Sequence, residues 1–115
     1  MLFRSLGITM TIAVSATNYF VDTSKGTNGT LGTSWADAFN TIAAAEAVVT
    51  GTGVDNIYIK GSVTIASSAA WTLKAANYYG GFDPNSSNTD PALRPKNDND
   101  GNGIIEPWEF AYPTV

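Results

Sequence analysis

The sequence predicts a mainly β fold with one amphipathic helix in a single domain. Three observations support this prediction. Several stretches of five or six residues alternate apolar and polar side chains and end at Gly, Asn or Ser, which is typical of short strands. One longer stretch has helical periodicity instead. The length of 115 residues suits one domain with a modest core.

The strand predictions fall on both sides of the helix. The stretch NYFVD is the first predicted strand, and a Gly/Thr/Ser-rich loop without periodicity follows it at 23–34. In NIYIKG, Ile57 and Ile59 share one face, as alternation requires. The five predicted strands are 18–22, 56–61, 62–66, 71–75 and 77–82.

The helix is predicted from about Trp35 to Val49. Ser34 is a suitable N-cap, and Gly51 and Gly53 follow the predicted C-terminus, where glycine commonly ends a helix. An apolar stripe at helical spacing predicts that one face packs on the core. The stripe consists of Trp35, Ala38, Phe39, Ile42, Ala45 and Val49.

The N-terminal segment, residues 1–16, has two interpretations. Arg4, an apolar run and the small residues at 14–16 fit a cleavable secretory signal. The alternation of Ile8 to Val14 with Thr, Ala and Ser favours a retained strand, because a signal core needs no period of two. A retained strand would pair within the fold or with another subunit. The run is too short and too rich in Thr to span a membrane. Residues 17–115 then form the single β-rich domain.

Composition excludes several classes of function. The chain has no Cys and no His, which removes thiol catalysis, disulfides, zinc fingers and Ser–His triads. The net charge is −4 and no basic patch occurs, so a nucleic-acid partner is not expected. Abundant Thr, Ser, Asn and Gly favour an extracellular or cell-surface protein without enzymatic activity.

Residues 98–109, DNDGNGIIEPWE, fit the calcium-loop pattern D-x-[DN]-x-[DN]-G-x5-E without a gap. Gly103 stands at the sixth position, where the chain turns sharply. Ile105 is placed to pin the loop to the core through its apolar side chain. Ca²⁺ takes about six to eight oxygen ligands, and this spacing supplies them. The predicted Ca²⁺ ligands are Asp98, Asp100, Asn102, the Ile104 carbonyl, Glu106 through water, and a bidentate Glu109.

This loop resembles that of an EF-hand or a dockerin repeat. The resemblance covers the twelve loop residues only. Pro91 and Pro95 precede the loop, and Pro107 and Pro113 leave no room for a following helix. A helix-opening calcium sensor is therefore not expected, and a solitary structural calcium site is.

A wider resemblance covers residues 18–115. The stretch from NYFVD through the helix, followed by DNIYIKGSVTI and NYYGGFDP, resembles the N-terminal part of right-handed parallel β-helix proteins of the pectate-lyase-like kind. The resemblance implies a short β-helix-like solenoid, although the chain provides only two or three turns. The alternative is a small β-sandwich, in which the same strands pair antiparallel. The final FAYPTV is predicted to begin a further strand.

Two functions remain open from the sequence. The first is a secreted calcium-binding structural protein whose copies complete each other's β-structure and form an extracellular filament. The second is a truncated β-helix module that binds carbohydrate or resembles a polysaccharide lyase, with aromatic residues such as Trp35, Trp71 and Trp108 stacking on sugars. No motif marks a base for a lyase reaction. The basic candidates are Lys60, Lys74, Arg94 and Lys96.

Overall fold

A computed structural model describes residues 15–63 and 74–112. It contains three strands and one short helix, so the mainly β prediction is confirmed. The predicted N-terminal strand or signal lies largely on residues 1–14, outside the described residues, and the predicted strands at 62–66 and 71–75 fall largely on 64–73, which are also outside. The elements are β1 (Asn18–Asp22), α1 (Ile42–Glu46), β2 (Asn56–Lys60), β3 (Asn77–Phe82) and a 3-10 turn (Pro91–Leu93).

The three strands form one parallel sheet in the order β1-β2-β3. The antiparallel pairing that a small β-sandwich requires is therefore not the pairing of these strands. β1 and β2 pair without interruption. Between β2 and β3 the register shifts, because Tyr58 faces Tyr79 whereas Lys60 faces Phe82. The extra residue of β3 lies beside Gly81, whose φ of +80° suits glycine and is typical of a β-bulge.

Both faces of the sheet are buried, as is usual for parallel sheets. On one face Ile57 and Ile59 pack with Val21, confirming the predicted alternation, and α1 covers this side through Ile42 and Ala45. The other face is aromatic, which the alternation of NIYIKG did not predict. Its buried cluster consists of Phe20, Ala38, Tyr58 and Phe82, with Trp35 and Tyr79 packed against it.

The helix is much shorter than predicted, because α1 begins at Ile42 rather than at Trp35. Ser34 does accept a hydrogen bond from the Asp37 N–H (3.1 Å), as an N-cap would, but the chain then extends instead of coiling. Phe39 lies parallel to Val21 as an isolated bridge. Thr41 provides the true N-cap and accepts from the Ala44 N–H at 3.2 Å. The predicted stripe is nonetheless buried over most of its length.

Backbone groups on the outer edge of β1 are bonded to the segment 32–39. The Phe20 N–H donates to the Gly32 carbonyl (2.7 Å), and the Asp22 N–H donates to the Phe39 carbonyl (2.8 Å). Gly32 has a φ of +68°, and a Cβ there would overlap the Phe39 ring. The segment therefore covers this edge of the sheet. β3 has no strand on its other side among the residues described.

A ladder of asparagines joins the starts of the three strands. The Asn56 side-chain amide donates to the Asn18 Oδ1 (2.8 Å), and the Asn77 amide donates to the Asn56 Oδ1 (3.1 Å). All three residues share one register position. Identical amides stacked in register satisfy one another, as they do in cross-β structures, and thereby fix the alignment of the strands.

The described residues include no helix with the length and apolarity needed to cross a bilayer. At the C-terminal end, Phe110 forms one antiparallel bridge with Lys96. FAYPTV is not a strand over residues 110–112, and residues 113–115 lie outside the described part.

Candidate metal site

The acidic loop, residues 98–109, is the connection of a small hairpin. The Asn97 N–H donates to the Glu109 carbonyl (3.1 Å), and the Ala111 N–H donates to the Pro95 carbonyl (2.9 Å). The Lys96–Phe110 bridge lies between these two bonds. Extended backbone therefore flanks the loop where an EF-hand has helices, as the prolines predicted. Gly103 has a φ of +85°, so the predicted sharp turn at the sixth position is present.

Three carboxylates converge inside this loop. Asp98, Asp100 and Glu109 each place one oxygen so that these atoms lie within 4.8 Å of one another. Glu106 adds a fourth acid, and the segment 97–109 contains no Lys or Arg. Like charges at this separation repel one another unless a proton or a cation lies between them. Hard carboxylate oxygens are the donors that Ca²⁺ prefers.

Glu109 is the buried member of the group, with 5% of its surface exposed. Its Oε1 accepts from the N–H groups of Asn99 (3.0 Å) and Asp100 (3.3 Å), and its Oε2 accepts from the Glu106 N–H (2.9 Å). The hydrogen bond from the Glu106 backbone is the main reason that the pKa of Glu109 lies below its usual value. Glu109 is therefore held as an anion while it also organises the loop backbone.

Asp98 and Asp100 bind the turn at the middle of the loop. Asp98 accepts from the N–H groups of Asn102 (3.1 Å) and Gly103 (2.8 Å). Asp100 accepts from the Asn102 N–H (3.0 Å) and also from its side-chain amide (3.0 Å). The Ile104 N–H donates to the Asn102 Oδ1 (2.8 Å). Hydrogen bonds within the loop thus orient both aspartates.

Glu106 carries the one buried side-chain oxygen in the described residues that has no hydrogen-bond partner. Its Oε1 accepts from the Asn102 amide (3.0 Å), whereas its Oε2 is buried without a donor. A hydrogen bond between the Glu106 and Glu109 carboxyl groups, which share a proton, is a further cause of the lowered pKa of Glu109. A buried carboxylate oxygen without a donor is costly, and a cation between the two acids would remove that cost. The residues present therefore fit a divalent cation.

The six predicted ligands are brought together to different extents. The three carboxylates of Asp98, Asp100 and Glu109 form the group itself. Asn102 and Glu106 are hydrogen-bonded to each other beside it. The Ile104 N–H donates to the Asn102 Oδ1 and its side chain is exposed, whereas the ligand role predicted for its carbonyl stays a prediction.

One prediction about the loop is wrong. Ile105 was expected to pin the loop to the core, but 56% of its surface is exposed. The contact with the sheet is made instead by residues just outside the calcium-loop pattern, which sequence reasoning missed.

Arg94 and Phe110 fasten the hairpin to β3. The Arg94 Nη1 donates to the Gly80 carbonyl (2.8 Å), and its guanidinium carbon lies 4.2 Å from the centre of the Phe110 ring. A Cβ on Gly81 would lie 2.9 Å from the Phe110 Cγ, so the absence of a side chain there admits the ring. The position of the acidic loop relative to the sheet therefore depends on Arg94, Phe110 and Gly81.

The other candidate residues have different environments. Lys60 is buried, donates to the Ser86 carbonyl and lies 4.1 Å from the centre of the Trp35 ring. Burial lowers the pKa of Lys60. The Trp35 indole N–H donates to the Asn88 carbonyl (2.7 Å), so both residues have structural contacts. Trp108 is 73% exposed, and Trp71 is outside the described residues.

Comparisons with protein-family models, with curated proteins and with solved structures give no match.

Proposed function

We propose that this chain is an extracellular structural domain that binds one Ca²⁺ in its acidic loop and self-associates through its sheet. The observation that carries the proposal is the convergence of Asp98, Asp100 and Glu109, in a loop where Glu106 also has a buried oxygen without a hydrogen-bond partner. The proposed ligands are the six residues that the loop pattern names. Ca²⁺ fits this donor set because every side-chain donor is a hard oxygen.

The expected role of the ion is to stiffen the hairpin. The loop joins two extended segments, and Phe110 directly follows the last ligand, Glu109. Phe110 packs on Gly81 and stacks with Arg94, so order in the loop is transmitted to the edge of β3. A chain without cysteine has no disulfide to stabilise such a loop, and a bound ion would serve the same purpose.

Self-association is proposed to use the β3 edge and not the β1 edge. Gly32 and Phe39 already occupy backbone groups of β1, whereas β3 is the last strand of the described sheet and is contacted there by the Arg94 side chain at the Gly80 carbonyl. The alternating residues 8–15 have the pattern of a strand that a neighbouring copy could add there. Because donor and acceptor surfaces differ, such head-to-tail contacts continue as a filament unless a rotation closes them.

The parallel, in-register strands and the asparagine ladder support a β-helix-like arrangement within this proposal. In such a solenoid each turn adds one strand at an equivalent position. β1, β2 and β3 are adjacent parallel strands that begin with Asn18, Asn56 and Asn77 at the same register position, which supports this arrangement.

A carbohydrate-binding module is the second candidate. Trp108 favours it, because this exposed indole belongs to the acidic loop and could stack on a sugar ring beside the ion. The two candidates differ in assembly, since a glycan-binding module has no need to polymerise.

Replacing Asp100 by Asn is expected to weaken Ca²⁺ binding by about tenfold, because a charged ligand becomes neutral while the oxygen that accepts from the Asn102 N–H is kept. Calorimetric titration measures the affinity directly. Thermal melting of the parent chain should rise by about 10 °C when Ca²⁺ is at about a hundredfold excess over its Kd.

The matched control is Asp90→Asn. Asp90 is also exposed and accepts from a backbone N–H two residues later, at Ala92 (2.9 Å), but it lies outside the loop. The Asp90→Asn substitution should leave the Ca²⁺ affinity unchanged. Equal affinities for the parent chain and both variants would contradict the assignment of the ion to this loop.

Assembly is tested with the full chain by sedimentation and electron microscopy, with Ca²⁺ and with a chelator. We expect oligomers or filaments in Ca²⁺, and fewer or shorter ones after chelation, because the hairpin beside the β3 edge loosens. A stable monomer at high concentration in Ca²⁺ would exclude the self-association proposal and leave the carbohydrate-binding candidate.

A further inference from the structure

The chain contains two Asn–Gly dipeptides, Asn28–Gly29 and Asn102–Gly103. Asparagine is chemically labile, and a following glycine leaves its backbone nitrogen unusually free to attack the side chain. In that reaction the glycine nitrogen bonds to the asparagine Cγ, the Cγ–Nδ2 bond breaks, and ammonia leaves. Water then opens the cyclic imide to aspartate or isoaspartate, so an amide becomes an acid without any oxidant or reductant.

We propose that Asn102 is a deamidation site. The ordered acidic loop protects Asn102 from the reaction, and loss of order in the loop removes that protection. The modification is covalent, and the reaction requires no reactant other than water. Its dependence on Ca²⁺ rests on the function proposed above, whereas its dependence on loop order does not.

In the folded loop, every group that takes part in the reaction is engaged in a hydrogen bond. The Asn102 Oδ1 accepts from the Ile104 N–H (2.8 Å), and its Nδ2 donates to Asp100 and Glu106 (3.0 Å each). The attacking nitrogen, that of Gly103, donates to Asp98 at 2.8 Å. Attack requires this nitrogen to lose its proton, which a hydrogen bond to a carboxylate disfavours, and requires the amide to rotate away from three partners.

Asn28–Gly29 provides an internal control with the same chemistry. The Asn28 Oδ1 accepts from the Asn40 N–H (3.0 Å), and the Gly29 N–H donates to the Ala38 carbonyl (3.0 Å). These contacts join residues 28–29 to Ala38 and Asn40, and neither involves the acidic loop. The rate at Asn28 should therefore report global unfolding, and any additional rate at Asn102 reports local opening of the acidic loop.

Deamidation at Asn102 would damage the loop permanently. Aspartate adds a fifth carboxylate to the segment 98–109. Isoaspartate lengthens the main chain by one methylene and displaces every later ligand, Glu109 included, from its hydrogen-bonded position. A loop that has lost order is therefore converted to a form that does not recover its original geometry, which makes Asn102 an irreversible marker of loop opening.

The test incubates the full chain in mildly alkaline buffer under three conditions: Ca²⁺, chelator, and urea sufficient to unfold it. Peptide mapping by mass spectrometry then follows residues 102 and 28. We expect deamidation at Asn102 to be at least about tenfold slower in Ca²⁺ than in urea, because the reactive form is the minor open state. Chelation should accelerate deamidation at Asn102 several-fold more than at Asn28, because Asn28 responds only to the accompanying loss of global stability. Equal rates at Asn102 in the folded and unfolded chain would overturn the proposal.

Two further outcomes separate this proposal from the calcium assignment. Slow deamidation at Asn102 in both Ca²⁺ and chelator, with fast deamidation in urea, supports protection by the loop and counts against Ca²⁺ as the stabilising ion. In chelator, Asp98→Ala should accelerate Asn102 because Gly103 loses its acceptor, whereas Asp90→Ala should not. An unchanged rate in Asp98→Ala would contradict the role given to that hydrogen bond.

Discussion

Replacing Phe82 by Ala is expected to cost about 3–5 kcal/mol of the free energy of unfolding, the usual range for removing a buried Phe side chain. Phe82 is 1% exposed and ends β3. Its ring centre lies 5.3 Å from that of Trp35 and 5.2 Å from that of Tyr58. The substitution therefore opens a cavity between the sheet and the segment that covers it. Urea unfolding followed by tryptophan fluorescence measures the loss.

The expected cost is a large share of the total stability of a small domain, about 5–15 kcal/mol. Leu93→Ala is the control, because it also removes a large apolar side chain, but one that is 69% exposed. It should change the free energy of unfolding by less than about 0.5 kcal/mol. A similar cost for both variants would mean that the aromatic face is not part of the core.

The strands that the sequence predicted were those bounded by Asn and Gly and short enough to be defined locally. The sequence also contains a signal for how these strands pair, which hydrophobic periodicity does not detect. β1, β2 and β3 each begin with Asn. An amide at the same place in successive strands predicts a parallel, in-register ladder, and the ladder is present. Alternation alone left parallel and antiparallel pairing equally open.

The helix was overpredicted because helical spacing and burial are different properties. Ala38 and Phe39 are buried, as the stripe requires, but an extended segment buries them as well as a helix would. The contacts of Asp37 favour the extended segment over the helix. Its carboxylate accepts from the N–H groups of Thr30 (2.7 Å) and Leu31 (2.8 Å), which draws the chain into a loop against 30–31. Those partners are distant enough in sequence that a local helical pattern does not contain them.

The acidic loop was the most predictable part of the site because its ligands lie within one turn-rich segment. Spacing fixed which carboxylates could meet, and Asp98, Asp100 and Glu109 do meet. The attachment of the loop was not predictable, since Arg94 acts through the Gly80 carbonyl on another element. Nothing local distinguishes Arg94 from a solvent-exposed cation, and nothing local shows that Ile105 faces solvent.

Replacing Glu109 by Ala is expected to abolish Ca²⁺ binding, with an affinity loss of about a hundredfold or more, and also to destabilise the chain in chelator. The second effect arises because the Glu109 carboxylate accepts from the N–H groups of Asn99, Asp100 and Glu106 without any ion. Alanine leaves these donors unsatisfied and disorders the loop. Calorimetric titration and thermal melting, each with and without Ca²⁺, measure the two effects. Asp100→Asn should weaken Ca²⁺ binding by only about tenfold and show little of the second effect.

Glu109→Gln separates the charge of this residue from its hydrogen bonds, because glutamine keeps one acceptor oxygen. The pKa of Glu109 is lowered in the folded chain, so its stabilising effect is present above the ordinary pKa of a glutamate and is lost as the pH falls through the folded value. In chelator, the parent chain should therefore lose stability as the pH falls from the ordinary pKa of a glutamate to the lower pKa of Glu109 in the folded chain. The Gln variant should show a shallower loss, corresponding to uptake of about one proton fewer on unfolding. Identical pH profiles for the parent and the Gln variant would show that Glu109 is not the anion around which the loop is built.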